Sequence, residues 1–258
     1  MRRVFITADD YGCNGAVNDA ILSLMADGRL SGAGCMTRAP DWPDSARRIA
    51  DAPPDSAFGL HLDFTGFGPQ RRRLWPLIAA SLRRQLDAAA LRDEIATQCA
   101  LFEDSTGRAP VYVDGHQHVH QLPQIREALV DVLRGRYAGR LPWLRISGAR
   151  IGDGGKSLFI ALLGAGELQG LADAARMRTL PRLLGAYGFD GTAERYRQRL
   201  IGWLQSAADG DALMVHPATQ ALPDDLIGAA RVREYAVLAG HLPGLMAATG
   251  TTTGHFEN

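Results

Sequence analysis

Short apolar runs alternate along the chain with longer stretches whose apolar positions recur every three or four residues. Residues 4–7 (Val-Phe-Ile-Thr) read as a buried strand, and residues 16–26 carry apolar side chains at helical spacing. The rhythm continues with a strand over 34–37, a helix over 42–52 with Asp41 as its N-cap, and a strand over 57–63 after the break at Pro53-Pro54. Further on it predicts a helix over 87–104, a strand over 111–113, a helix over 124–136 and a strand over 143–146. A helix over 192–207, a strand over 212–215 and a helix over 231–239 complete it, with weaker strands near 183–186 and 245–252. Such alternation is the mark of a parallel sheet covered by helices, and six or seven mostly parallel strands in an incompletely closed α/β barrel is the expected architecture. No repeat or linker divides residues 1–258, so a single domain is expected.

Two stretches break the rhythm. Residues 64–86, with Gly66, Gly68, Pro69 and Arg71-Arg72-Arg73, read as a long surface excursion and a candidate substrate loop. Residues 147–182 are rich in Gly, Ala and Leu, with helices expected at 157–163 and 167–177, and are suited to form a lid.

In a barrel of this kind the chemistry sits where strands end. Asp9 and Asp10 follow the first strand directly, and adjacent carboxylates pointing in different directions suit different tasks: one to hold a metal, one to take a proton from water. The plainer alternative is that one of them caps the next helix. Asp114-Gly115-His116-Gln117-His118-Val119-His120 ends another strand, and three of the seven histidines, spaced by two, share one face while the chain stays extended. His61 is a lone imidazole in an apolar strand, as readily a core residue as a ligand. His216 ends the strand at 213–215 before Pro217, and Arg145 follows Trp143-Leu144. Four strand ends carrying Asp-Asp, His, His-x-His-x-His and His point jointly to one metal site. His241 and His255 fall outside this pattern and read as structural or solvent-facing.

Composition narrows the classes. The 258 residues are 46% hydrophobic and 22% charged, with 28 basic and 28 acidic side chains and a pI of about 7.1. A net charge of zero argues against broad attraction to nucleic acid or acidic lipid. Cys13, Cys35 and Cys99 are odd in number and lack zinc-site spacing, so they read as buried thiols of a cytoplasmic protein. No run is apolar enough to span a membrane. One lysine, Lys156, among 27 arginines leaves little for Schiff-base or Lys-containing phosphate-loop chemistry.

The segments Thr-Ala-Asp-Asp-Tyr-Gly, Gly-Leu-His-Leu, Asp-Gly-His-Gln-His-Val-His and Met-Val-His-Pro, in that order over residues 7–217, resemble the YdjC/ChbG-like carbohydrate deacetylase family. The stretch Arg231-Val-Arg-Glu-Tyr also resembles the family's C-terminal part. The resemblance implies a distorted (β/α) barrel related to the polysaccharide deacetylases and a divalent metal, Mg or Zn, held by Asp10, His61 and His116. It implies removal of an N-acetyl group from an amino sugar or small N-acetylated oligosaccharide. On that reading Asp9 is the general base, Arg145 holds its carboxylate, and His216 protonates the departing amine. Tyr11 stands where the family usually has Phe and adds a hydroxyl near the expected site. Gln117 interrupts what is more often a run of histidines, leaving His118 and His120 as supporting or substrate-contacting groups. A branch of the HpnK type is associated with hopanoid biosynthesis, so the acylated substrate need not be a chitin fragment. A metal-dependent phosphoesterase or a non-catalytic sugar-binding protein on the same barrel are the competing readings, and a homodimer is the base-rate expectation.

Overall fold

The computed structural model describes residues 1–68 and 70–256; Pro69, in the expected excursion, lies outside the described residues. The elements are β1 (Arg2–Tyr11), α1 (Gly15–Ala26), β2 (Gly32–Cys35), α2 (Trp42–Arg47), β3 (Ala57–Leu62), α3 (Leu74–Leu82) and α4 (Ala88–Thr106). There follow β4 (Tyr112–Gly115), α5 (Ile125–Arg136), β5 (Trp143–Arg145), α6 (Gly155–Leu162), α7 (Ala165–Ala174), β6 (Thr179–Leu180) and β7 (Leu183–Leu184). The last are α8 (Ala193–Ser206), β8 (Asp211–Val215), α9 (Gly228–Thr249) and β9 (Thr251–Thr253).

All pairings are parallel, and eight strands run in the order β6-β5-β4-β3-β2-β1-β8-β7. The path nearly closes, because its two ends, β6 and β7, are consecutive in the chain and joined by Pro181 and Arg182. β9 pairs with the first residues of β1, Val4 lying opposite Thr253 as well as Asp211. The described residues thus form eight strands of a barrel plus β9, against six or seven expected. The additional one, β6, has only two residues, too few for any pattern to register.

Alternation along β1 separates the two faces. Val4, Ile6 and Ala8 point into the apolar layer under the helices, together with Ile21, Leu24, Leu200 and Leu238. Phe5 points into the barrel with Leu180, Leu183, Ala212 and Met214. Each large side chain buried this way contributes about 1.5–3 kcal/mol. At the N-terminal end of the strands the interior is aromatic: Phe256 lies 5.0 Å from Phe5 and is stacked on Tyr112 at 4.9 Å. Gly59 on β3 leaves room for Tyr112, since a Cβ there would come within 2.7 Å of that ring. At the C-terminal end the inward positions turn polar, with Thr7, Asp9, His61, Asp114 and Arg145 all buried. This contrast along the barrel axis places the site.

Local signals explain several boundaries. α1 begins where the Asn14 side chain accepts the Val17 N–H, so neither Asp9 nor Asp10 is consumed as a cap. The helix expected over 42–52 ends at Arg47 and continues as a 3₁₀ turn, Arg48–Asp51. The 64–86 excursion contains α3, whose Leu77 and Ile78 are buried in the core. α9 runs past the expected end at 239 to Thr249 despite Pro243. Cys35 and Cys99 are buried; Cys13, expected to be, is only partly so. No helix among the described residues is long and apolar enough to cross a membrane.

Candidate metal centre

β1 ends irregularly: its register with β2 shifts between Ala8 and Tyr11, and Asp10 has φ 71°. This bulge turns two adjacent side chains toward the same cleft, where regular alternation would send them to opposite faces. Asp10 Oδ1 lies 3.5 Å from His61 Nε2, and Asp9 Oδ2 lies 3.9 Å from the same nitrogen. His116, the first residue after β4, brings Nδ1 to 3.1 Å from Asp10 Oδ1.

Asp10, His61 and His116 therefore present three ligand atoms within 4.8 Å of one another. Neighbouring ligands around a cation with bonds of about 2.0–2.1 Å stand about 3.0–3.4 Å apart; the 3.1 Å separation falls in that range and the 3.5 Å one is about 0.1 Å beyond it, so a small side-chain shift fits one divalent ion. The surrounding bonds also leave the right atoms free. His61 Nδ1 donates to Asp114 Oδ1 at 2.6 Å, directing Nε2 into the cleft. Asp10 Oδ2 accepts from Arg231 Nη2 at 2.6 Å, leaving Oδ1 for an ion. A second combination, Asp9, His61 and Asp114, is also close enough. The Arg145 guanidinium already lies between its two carboxylates, 2.7 Å from Asp9 Oδ1 and 2.7 Å from Asp114 Oδ2, so positive charge is supplied there by the chain itself.

Burial would raise the Asp10 carboxyl, but Arg231, His116 and His61 outweigh it and hold it well below the usual range. Burial acts against a charged His61, yet Asp114 and Asp9 lift it from 6.5 to about 9. With the folded value above the unfolded one, the proton on His61 contributes stability that is complete below about pH 6.5 and is lost as pH rises through about 9. Chelator-treated protein should accordingly lose Tm across that interval, and His61→Asn should flatten the loss. Equal slopes for the two proteins would show that His61 is not the group responsible.

Arg145, 1% exposed, also donates to Thr7 Oγ1 at 2.7 Å and to Asp9 Oδ2 at 2.8 Å. His216 follows β8; its Nε2 lies 3.9 Å from Asp9 Oδ2, and burial pushes its imidazole below the ordinary value. Its backbone N–H donates to Glu234 Oε2 at 2.6 Å, and Tyr187 donates to the other oxygen of Glu234 at 2.7 Å. Sequence alone gives Asp114, Arg231 and Glu234 no role. Asp114 had a usable signal, lying two residues before His116 at a strand end. Arg231 and Glu234, three apart on α9, reach the cleft from the helix after β8: Glu234 meets His216, 18 residues before it, and Arg231 meets Asp10, 221 residues before it.

Two expectations are corrected. The Tyr11 hydroxyl does not approach the cleft: the residue is fully buried and donates to the Ser45 carbonyl at 2.8 Å. The bulge sends it to the opposite side from Asp9 and Asp10. The three histidines do not share one face, because the chain leaves the strand at Gly115 and turns through His116–Gln121, with Gln117 and His118 at positive φ. Only His116 meets Asp10. His118 Nδ1 lies 2.9 Å from Ser147 Oγ, and buried His120, its pKa lowered to about 4 by burial, donates from Nε2 to the Arg145 carbonyl at 3.0 Å. His120 therefore supports the strand end carrying Arg145. His241 and His255 are exposed and take no part in the cluster.

The sequence model of the YdjC-like protein family matches residues 3–241. A human carbohydrate deacetylase is 24% identical over 251 residues, covering 86% of this chain and 76% of that protein. A Geobacillus stearothermophilus carbohydrate deacetylase is 30% identical over 156 residues, 58% of this chain and 62% of the relative. The matches to the mouse and Vibrio vulnificus carbohydrate deacetylases span about half of those proteins. Among solved structures, an Enterococcus faecalis protein described in terms of cellobiose-phosphate cleavage superposes with a TM-score of 0.71 at 18% identity, covering 99% of this chain and 97% of its own. The peptidoglycan N-acetylglucosamine deacetylase Bc1960 does so at 0.55 and 13% identity, covering 98% and 85%. These two likenesses establish the shared barrel fold.

Proposed function

Given that the chain belongs to the YdjC-like family, we propose that it is a metal-dependent hydrolase that removes an N-acetyl group from an amino sugar or a small N-acetylated oligosaccharide. The observation carrying this reading is the meeting, in one cleft, of a three-donor set with an acid–base pair: Asp10, His61 and His116 beside Asp9 and His216. The relatives named as carbohydrate deacetylases support the substrate class.

Two imidazoles and one carboxylate suit Zn²⁺ or a neighbouring transition ion, and Mg²⁺ is the alternative the family resemblance offers. When bound, the ion supplies Lewis-acid polarisation of the acetyl carbonyl and acidifies water. Asp9, held by Arg145 through both oxygens, takes the proton from the attacking water. Burial keeps His216 neutral in the resting protein, so the proton it delivers must reach it during turnover, and Asp9 at 3.9 Å is the group on that path. His216 then protonates the sugar nitrogen as the C–N bond breaks. Acetate and the protonated amine are the products, and water is the only other reactant.

The reading is tested by acetate release from N-acetylglucosamine and its short oligomers, with and without chelator, alongside elemental analysis. Release that chelator abolishes and one equivalent of divalent metal restores is expected. Phosphate release from sugar phosphates, with several metals per chain, would replace this reading by a phosphoesterase.

A further inference from the structure

Two helices at the C-terminal end of the barrel leave large apolar side chains in solvent. On α3, Trp75 is 66% exposed and Leu82 58%; on α6, Phe159 is 46% exposed and Leu162 85%. Trp75 and Leu82 lie on one helical face, as do Phe159 and Leu162, while the opposite faces carry buried Leu77 and Ser81 on α3 and buried Ile160 on α6. The Trp75 and Phe159 rings approach to 6.2 Å, joining the two faces into one patch.

The charge around this patch departs from that of the whole chain. Residues 64–86 contain five arginines and no acidic residue, and 154–166 contain Lys156 and no acidic residue, although the total charge is zero. Arg72 and Arg84 are paired with Glu94 and Glu127. Exposed Arg71 and Arg73, at the start of α3, have no carboxylate within ion-pair distance among the described residues. Exposed Trp and Leu flanked by arginines is the composition of a helix that lies in a membrane interface, its apolar face among the headgroups and its cations against anionic lipid. A net charge of zero leaves room for this, because a short-range interaction responds to the local cluster.

We propose that the α3–α6 patch docks the protein on the surface of an anionic lipid bilayer, with Trp75, Leu82, Phe159 and Leu162 entering the headgroup region. A second copy of the chain fits less well, since a two-fold contact would set one arginine-rich rim against another. α3 and α6 follow β3 and β5, the strands that carry His61 and Arg145, so the patch is built on connections that leave the strand ends bearing the metal centre.

The test is co-sedimentation of the full chain with vesicles of phosphatidylcholine alone and of phosphatidylcholine mixed with phosphatidylglycerol, at low and high salt. Binding to the anionic vesicles, weakened by salt and accompanied by a blue shift of tryptophan emission that Trp75→Phe removes, is expected. The pair Trp75→Ala and Phe159→Ala should weaken binding by about tenfold or more. Tm should stay unchanged, both side chains being exposed. Arg71→Gln with Arg73→Gln should remove the preference for anionic lipid. Absence of anionic-vesicle binding, or binding indifferent to these substitutions, would overturn the proposal. So would a dimer in analytical ultracentrifugation that Trp75→Ala and Phe159→Ala dissolve.

Discussion

Asp9→Asn is expected to lower kcat for acetate release by about 10²–10⁴-fold, the usual worth of a positioned base, while one divalent ion per chain is retained. His61→Ala is expected to lose the ion and the activity together. The contrast follows from where the two side chains spend their atoms. Asp9 gives both oxygens to Arg145 and only approaches His61 Nε2, at 3.9 Å. His61 directs Nε2 at the cleft because Asp114 holds its other nitrogen. Asn preserves the shape of Asp9 but neither accepts a proton nor feeds one to His216. His216→Ala should therefore resemble Asp9→Asn in retaining the ion and losing turnover. Elemental analysis of purified variants, paired with kcat, checks the division. Equal loss of metal in all three would mean that Asp9 and His216 belong to the ion's own ligand set.

The residues that converge here were legible from sequence wherever they stood at the end of an apolar strand. Asp9, Asp10, His61, Arg145 and His216 all do, and the barrel rule then places their side chains at one end of the sheet. The spacing of His116, His118 and His120 misled for a definite reason. A period of two implies a common face only while the backbone remains extended, and Gln117 and His118 adopt positive φ immediately beyond Gly115. Tyr11 misled in the same way, because the bulge that brings Asp9 and Asp10 together reverses the side on which the next residue emerges. Arg231 and Glu234 lay beyond periodicity altogether. Helical spacing shows that they share a face of α9, but which strand end they meet is settled by tertiary packing. The short strand β6 likewise exists because the barrel supplies partners for two residues with little strand signal of their own.

Arg145→Met should destabilise the protein by about 3–5 kcal/mol, the range found when one member of a buried ion pair is removed. Its guanidinium lies between Asp9 and Asp114, which are 3% and 0% exposed, and donates to Thr7 as well. Methionine fills much of the same volume, so the loss comes mainly from two carboxylates left in a low-dielectric interior with His61 as their remaining cationic neighbour. Arg145→Lys should recover part of the stability, since it restores charge, but a single ammonium cannot span Thr7, Asp9 and Asp114. Turnover should stay low in both variants because Asp9 is no longer held in one orientation. The pH dependence separates charge from packing. Burial alone would raise the Asp114 carboxyl, yet Arg145 and His61 hold it below its ordinary value. A depressed carboxyl contributes stability above about pH 4, and that contribution is lost as pH falls through the folded value. Denaturant unfolding of wild type and Arg145→Met should therefore diverge at neutral pH and converge in acid. A difference that persists undiminished in acid would assign the loss to packing around the side chain and would remove the ionic account of how Asp9 is held.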